Sequence, residues 1–401
     1  TLMHDFISYC LRQFNRSTHW NDDNQYSNLS AASRAVLDFT PADGFTFHLA
    51  KATTPLFKSS YRLQTFPLSS GSIGYLFTSR PQHLTRTAVH LDRALERIRP
   101  VQSRGEIDHV PTPLNSPEHA VLRGLLGTCQ VGAWNPMLYQ TSIDRPHALK
   151  GHYLLCSQLF LPSGRVEGLY ARRLSPRTQF LAVSVSSPTS QASEMLTQWQ
   201  YDCSKWCAEL SFSTPDYLWG MRGLYNFGAV PEEPTIEDLR ANPGRMCVGG
   251  EVYFSTKQQS GGLSVGVRHR TLFPKTTEFT CVTNPVMGHI SSAYTASVTS
   301  DCIMSTRFDF NVYSLYSDLT TGIEWHNSRD SIVKASLSTT HGLTMGLDCR
   351  YRKILLSFGA SLGSQHVGGR PTTGSSLPSS TATSSPTSSL RSLGVHVQFF
   401  S

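Results

Sequence analysis

The sequence predicts an all-β fold, specifically an antiparallel β-barrel that crosses a membrane with its strands, preceded by a short N-terminal helix. Three observations predict it. About eighteen short segments alternate apolar and polar side chains and are separated by turn residues, the pattern of many short strands in a sandwich or barrel. The ionisable groups fall almost entirely on one phase of that alternation. Finally, only 16 % of the 401 residues are charged, against about 25 % in an average soluble domain. The missing charge has gone into 52 Ser and 37 Thr. Coiled coils, collagens and charge-rich disordered chains are excluded by this composition. Helical membrane spans are excluded too, because no apolar run exceeds about four residues where a spanning helix needs about twenty.

Taken in order, residues 1–34 read as a helical segment and a polar turn. Phe6, Tyr9, Cys10 and Phe14 lie at helical spacing, and the stretch Trp20 to Tyr26 breaks the pattern. Thr1 to Phe14 has neither a basic stretch nor an apolar core of secretory type. The barrel is expected over 35–401. Phe45, Phe47 and Leu49 alternate with polar residues, as do Ile73, Tyr75 and Phe77. Residues 80–145 interrupt the rhythm with a helical patch (84–98) and Pro111, Pro113 and Pro117, and read as a long excursion between strands. Alternation then resumes in Trp206 to Phe212, Val248 to Phe254, Leu263 to Val267 and Ile290 to Val298. It continues in Phe308 to Val312, Ile323 to Trp325, Val333 to Leu337, Leu343 to Tyr351 and Ile354 to Leu362. A Ser/Thr-rich stretch at 364–391 is too poor in apolar groups to fold alone and reads as a loop. One more alternating run, Leu393 to Phe399, follows it.

The wet phase decides between sandwich and barrel. Opposite Leu263, Val265 and Val267 stand Ser264, Gly266, Arg268 and Arg270; opposite the 343–351 strand stand Thr344, Gly346, Asp348, Arg350 and Arg352. A soluble sandwich could share this alternation. A single sheet of some eighteen strands, however, closes rather than staying open, since open twisted sheets rarely exceed about ten strands. Strands of this scale match the ~9–11 tilted residues that cross a bilayer, and mixed charge with Ser, Thr and Gly suits a polar lumen. Leu154 and Phe160 fall on the polar phase and fit poorly. On this reading Val265→Arg meets lipid, and Gly266→Arg, facing the lumen, is the better tolerated.

The last strand carries a sharper pattern. Ser392, Gly394, Val397 and Phe399 spell polar-x-Gly-x-x-hydrophobic-x-hydrophobic, which resembles the β-signal by which mitochondrial outer-membrane barrels are recognised for insertion. An exposed edge would pair with such a strand, Gly allowing close approach. Further blocks run in order along the chain: Trp20 to Tyr26, Leu37 to Phe39 with Pro41 and Gly44, Gly71 to Phe77, Leu169 to Pro176, Gly249 to Phe254 and Asn284 to Ile290. These resemble the fungal mitochondrial distribution and morphology protein 10 family. The resemblance implies a barrel of about 19 strands of the mitochondrial porin type in the outer membrane, with the N-terminal segment in or near the pore. It implies a non-enzymatic anchor for the ER–mitochondria encounter structure that also assists barrel and translocase assembly. The implied partners are membrane lipid, the ER-membrane and lipid-transfer subunits, the sorting and assembly machinery barrel with its cytosolic subunits, and small translocase subunits, with no nucleic acid and no cofactor. The eighteen segments fall one short of that number; 121–141 or 34–39 could hold the missing strand.

Other motifs are weighed against plain readings. Gly262-Leu-Ser264-Val-Gly266 matches G-x-S-x-G, but a nucleophile elbow needs a strand-to-helix turn and Ser264 lies in an unbroken strand pattern, so no catalytic residue is assigned. The nine Cys contain no C-x-x-C pair and read as free thiols, and no metal-ligand spacing is present. Arg268, Arg270, Arg350, Arg352 and Lys353 either line an anion-attracting lumen or sit at the rim. The first alternative would suit a porin-type anion-permeable channel, the competing function. Arg172 and Arg173 read as rim or loop residues that face a partner. Trp206, Trp219, Tyr225, Trp325 and Tyr351 suit interfacial girdles, with plain strand propensity as the alternative.

Overall fold

The computed structural model describes residues 10–80 (except 13, 16, 19, 67 and 68), 151–188, 193–228, 244–271, 275–328, 330–364 and 388–400. Nineteen strands follow one another as β1 (Gly44–Ala52), β2 (Phe57–Phe66), β3 (Ser70–Thr78), β4 (Tyr153–Leu161), β5 (Val166–Ser175), β6 (Thr178–Ser186), β7 (Glu194–Asp202), β8 (Trp206–Ser213), β9 (Leu218–Phe227) and β10 (Gly244–Ser255). They continue as β11 (Ser260–Thr271), β12 (Thr277–Asn284), β13 (His289–Ser297), β14 (Cys302–Asn311), β15 (Ser317–Ser328), β16 (Ser331–Ser338), β17 (Gly342–Tyr351), β18 (Ile354–Ser364) and β19 (Ser388–Phe400).

Each strand pairs antiparallel with the next, and β1 also pairs with β19, so the sheet closes on itself. An up-and-down chain with an odd strand count begins and ends in strands of the same direction. The closing pair is therefore parallel, in register Gly44↔Gly394, Thr46↔His396 and His48↔Gln398. Closure removes the unpaired edges that an open sheet of this size would expose. We call the end where odd-numbered strands finish the first rim and the opposite end the second rim. The connection 79–152 leaves and returns at the first rim, and 365–387 joins β18 to β19 at the second.

The expected phase holds. Val265, Leu263, Phe308, Trp325 and Tyr351 are exposed on the outer wall, whereas Ser264, Arg268, Glu324 and His326 are buried on the inner one. Among the described residues no helix is long and apolar enough to cross a membrane.

Three boundaries move. Ala31–Leu37 is α-helical, so no strand occupies 34–39 and the division at 34 and 35 cuts a helix. Three alanines favour helix there, and Pro41 prevents its extension. The final strand starts at Ser388, inside the stretch read as loop over 364–391, because pairing with β18 continues through Leu362↔Leu390 to Ser364↔Ser388. β18 likewise includes Ser364. The excursion at 80–145 and the alternative at 121–141 lie outside the described residues, except for Arg80.

Candidate functional site: an inner belt and a parallel seam

The described residues of 10–43 line the inner wall from β3 round to β19, in chain order. The segment starts with residues in helical conformation at 10–12, 14, 15 and 17, which place Cys10 and Phe14 one turn apart. Both pack on Leu76, Leu154, Cys156, Leu169, Ala171 and Leu181 of β3–β6. This explains Leu154: it is an inward residue made apolar because the N-terminal segment covers it. Gln179 Nε2 then donates to Asn15 Oδ1 at 3.1 Å, and the Arg173 guanidinium stacks 4.2 Å from the Trp20 ring.

Beyond Trp20 the contacts turn polar. Asn24 Nδ2 donates to Asp202 Oδ1 at 2.6 Å and Gln25 Nε2 to Gln200 Oε1 at 3.0 Å, both on β7. The Tyr26 backbone N–H donates to Glu209 Oε1 of β8 at 3.1 Å, and the Tyr26 hydroxyl bonds Ser264 Oγ of β11 at 2.6 Å. Leu29 packs on Cys207, Leu224 and Cys247 of β8–β10. Ala32 and Val36 of the helix pack on Ile303 of β14. Arg307 Nη1 of β14 donates to Asp38 Oδ2 at 2.7 Å.

From there the wall meets the belt with glycines. A Cβ on Gly322 of β15 would stand 2.8 Å from Leu37 Cδ2, one on Gly346 of β17 would stand 3.2 Å from the Phe39 ring, and one on Gly359 of β18 would strike Pro41 and Ala42. One on Gly394 of β19 would lie 2.5 Å from the Gly44 nitrogen and 2.6 Å from the Asp43 carbonyl carbon. Upstream, Gly266 of β11 would crowd Leu29 Cδ2 at 2.5 Å and Tyr26. At Gly359 and Gly394, where the atoms met are belt backbone, close approach requires bare backbone; at Gly266, Gly322 and Gly346 a Leu or Phe side chain of the belt would have to give way. It also reverses one expectation: Gly266→Arg cannot be the tolerated substitution, because the lumen at that position is already filled by Leu29.

The inner-wall charges are largely compensated. Arg270 Nε donates to Glu278 Oε2 at 2.7 Å and lies 3.6 Å from Asp23. Arg268 is buried and donates from Nη2 to the Asp23 carbonyl oxygen at 3.0 Å. Arg222 pairs with Glu251 at 2.7 Å, and Glu324 meets both His326 at 2.9 Å and Lys334 at 3.1 Å. Buried pairs of this kind add little net stability over apolar packing, but breaking one costs several kcal/mol, so Arg270–Glu278 and Glu324–Lys334 hold neighbouring strands in place while Asp23 ties Arg268 and Arg270 to the belt.

The sequence-predicted residues therefore separate. Arg268 and Arg270 are inner-wall residues tied to the belt. Arg350 is half-buried on the inner phase near the first rim, and Arg352 and Lys353 are exposed in the β17–β18 turn, Arg352 with a left-handed φ of 54° and its guanidinium 5.6 Å from the Tyr351 ring. Arg172 and Arg173 belong to β5 rather than to a loop, and they face opposite ways. Arg173 is 1 % exposed, held inside against Trp20 and donating to the Pro176 carbonyl at 2.9 Å, so it cannot face a partner. Ser264 sits mid-strand with its hydroxyl engaged by Tyr26, without the strand-to-helix turn a nucleophile elbow requires. On β19, Ser392 and Gly394 point inward, Ser392 Oγ bonding Ser361 Oγ at 2.6 Å, while Val397 and Phe399 lie on the outer phase. Sequence reasoning missed Asn24, Gln25, Tyr26 and Leu29. The visible trace of them was apolar or glycine residues on the wet phase of the strands they cover.

A family model described as mitochondrial distribution and morphology protein 10 matches residues 3–332. The chain belongs to that family. Proteins of that name are similar along most of the chain: the one from Coprinopsis cinerea is 31 % identical over 89 % of this chain and 94 % of its own length. The one from Yarrowia lipolytica is 32 % identical over 89 % and 93 %, and the one from Sclerotinia sclerotiorum 35 % over 80 % and 77 %. The closed barrel with a belted lumen is thus the form taken here by a family acting in mitochondrial distribution and morphology.

Proposed function

We propose that the chain is a non-enzymatic, multi-pass barrel of the mitochondrial outer membrane that anchors the ER–mitochondria tethering and lipid-transfer complex and assists the assembly of outer-membrane barrels and of the translocase. The observation that supports this reading is the belt. With the described residues of 10–43 held along its inner wall, the barrel carries an internal brace and offers its outer wall, seam and rims to other molecules. The outer wall, largely apolar and rich in Trp, Tyr and Phe, suits a surrounding bilayer. The expected partners are the ER-membrane and lipid-transfer subunits, the sorting and assembly machinery, and small translocase subunits.

Co-purification tests it. Recovery of stoichiometric tethering and assembly subunits with the native protein is the expected result; a purified barrel without partners and with a large, steady conductance would refute it. The second reading, an anion-permeable channel, is favoured by Arg268 and Arg270, but Glu278 and Asp23 already engage them. Resistance to carbonate extraction checks membrane integration separately.

A further inference from the structure

Among the strand side chains the structure describes, Arg172 and Lys51 are the formally charged ones on the outward phase. Every other charged strand residue whose side chain is described points inward, where ion pairs or the belt receive many of them. A cation among outward apolar residues calls for a partner, because a lipid-facing Arg is costly at the bilayer midplane and nearly free of cost only near its surface.

The neighbours of Arg172 fix its level. Across the sheet it stands in register with Tyr153 of β4 and Phe180 of β6, and Phe180 with Trp199 of β7. Phe77 stacks on Tyr153 at 5.9 Å on one side, and Phe180 meets Trp199 edge-on at 5.1 Å on the other. The row Tyr153–Arg172–Phe180–Trp199 is thus an aromatic girdle interrupted by one cation. Such girdles mark the membrane–water boundary. Arg172 is three residues from the end of β5 at Ser175. At ~3.3 Å per residue and a tilt of ~40°, it lies about 8 Å below the strand end, within reach of a guanidinium extending to the headgroups. Lys51, one residue from the end of β1, is at the same first rim. Nearby on that rim, Lys205 lies 5.8 Å from the Tyr225 ring, beside the Tyr201–Trp206 pair.

We propose that Arg172 is a phospholipid-binding residue that holds a headgroup phosphate against the outer wall, with Tyr153 and Phe180 flanking the glycerol and upper acyl chains and Lys51 holding a second phosphate of the same leaflet. This rests on the membrane reading above. A planar guanidinium takes a phosphate through two parallel hydrogen bonds, which an ammonium cannot reproduce. The phosphate layer, at girdle height, supplies that chemistry all round the barrel. An acidic side chain of a neighbouring membrane protein would have to be placed there specifically.

The test is native mass spectrometry of the full chain released from phosphatidylcholine bilayers containing phosphatidylinositol, with carbonate resistance and heat-modifiability measured in parallel. Arg172→Leu should lower the ratio of lipid-bound to lipid-free barrel about fivefold, the loss equivalent to ~1 kcal/mol for one basic residue at an anionic surface. Arg172→Lys, which keeps the charge but not the paired hydrogen bonds, should fall between wild type and the neutral variants, and Arg172→Gln, similar in length but neutral, should match Arg172→Leu and serves if the latter fails to fold. Unchanged lipid retention in a folded, carbonate-resistant neutral variant would overturn the proposal. So would loss of a co-purifying subunit with lipid retention intact, which would assign the site to a protein carboxylate. Carbonate-extractable wild-type protein would instead remove the membrane reading itself.

Discussion

Gly266 and Leu29 provide the most direct test of the belt. An added methyl at Gly266 would stand 2.5 Å from Leu29 Cδ2, with Val282 at 3.3 Å and Tyr26 at 3.4 Å, so the buried Leu29 must shift and two further side chains must give. Overpacking of this kind costs ~1–3 kcal/mol. Leu29 is 2 % exposed, and Leu29→Ala removes its packing on Cys207, Leu224 and Cys247 at a cost of ~2–5 kcal/mol. In the double variant the methyl at 266 enters the space that Leu29 vacates. The double variant should therefore be less destabilised than the sum of the two, by most of the Gly266→Ala strain, or ~1–3 kcal/mol. The midpoint of heat-induced loss of the compact folded form in detergent gives the stabilities, and protease cleavage between 10 and 43 reports release of the belt. Strict additivity, or a silent Gly266→Ala, would refute the placement of Leu29 over β11.

Gly359→Ala and Gly394→Ala should behave alike, each inserting but closing poorly, because both methyls would meet the 41–44 stretch; failure of insertion confined to Gly394→Ala would show that glycine to be read by the insertion machinery alone. Combining Gly394→Ala with Phe399→Ala should block membrane integration without stopping synthesis, and normal integration would remove the β-signal. Cysteines at Thr46 and His396, partners across the parallel seam, should cross-link in the native barrel, while a pair at Thr46 and Gln398 should cross-link far less; the reverse preference would show a slipped register. Val265→Arg, at the middle of the outer face of β11, should destabilise by ~2–4 kcal/mol on the same heat assay, and full tolerance would invert the assigned faces. Removal of 365–387, which spares the paired residues 388–390, should leave a heat-modifiable barrel, and its loss would give that stretch a structural role.

The barrel was legible because strand physics is local. The two-residue period of β11, β14 and β17 records which side of each strand meets water, and no distant information is needed to read it. Strand closure followed from counting, and the closing strand from its position. The belt was not legible, since its partners are set by register across the whole chain: Tyr26 meets Ser264 and Asp38 meets Arg307, and nothing in the local pattern of either residue announces the other. What local reading registered as noise, Leu154 on the wet phase, was the imprint of the belt on the wall. The basic residues were ambiguous for the same reason. Alternation places Arg172 and Arg173 on opposite faces once both are known to lie within a strand, but their position between two strand-like runs suggested a rim or loop. The girdle that frames Arg172 is assembled from four strands and has no counterpart in a linear window.

The belt also imposes an order of events. Its successive stretches touch β3–β6, then β7–β11, then β14–β19, so the described residues of 10–43 cannot complete their contacts until the last strands are in place. Contacts between the two ends of a chain are the slowest kind to form, because the whole intervening loop must first be drawn together. A truncated or stalled copy lacking β14–β19 would leave the stretch from Ala31 to Gly44 without its wall, and the belt would stay unfinished. The final bend at Asp43 and Gly44, seated over Gly394, thus acts as a completeness check: only a chain that has reached its own last strand can be fastened shut.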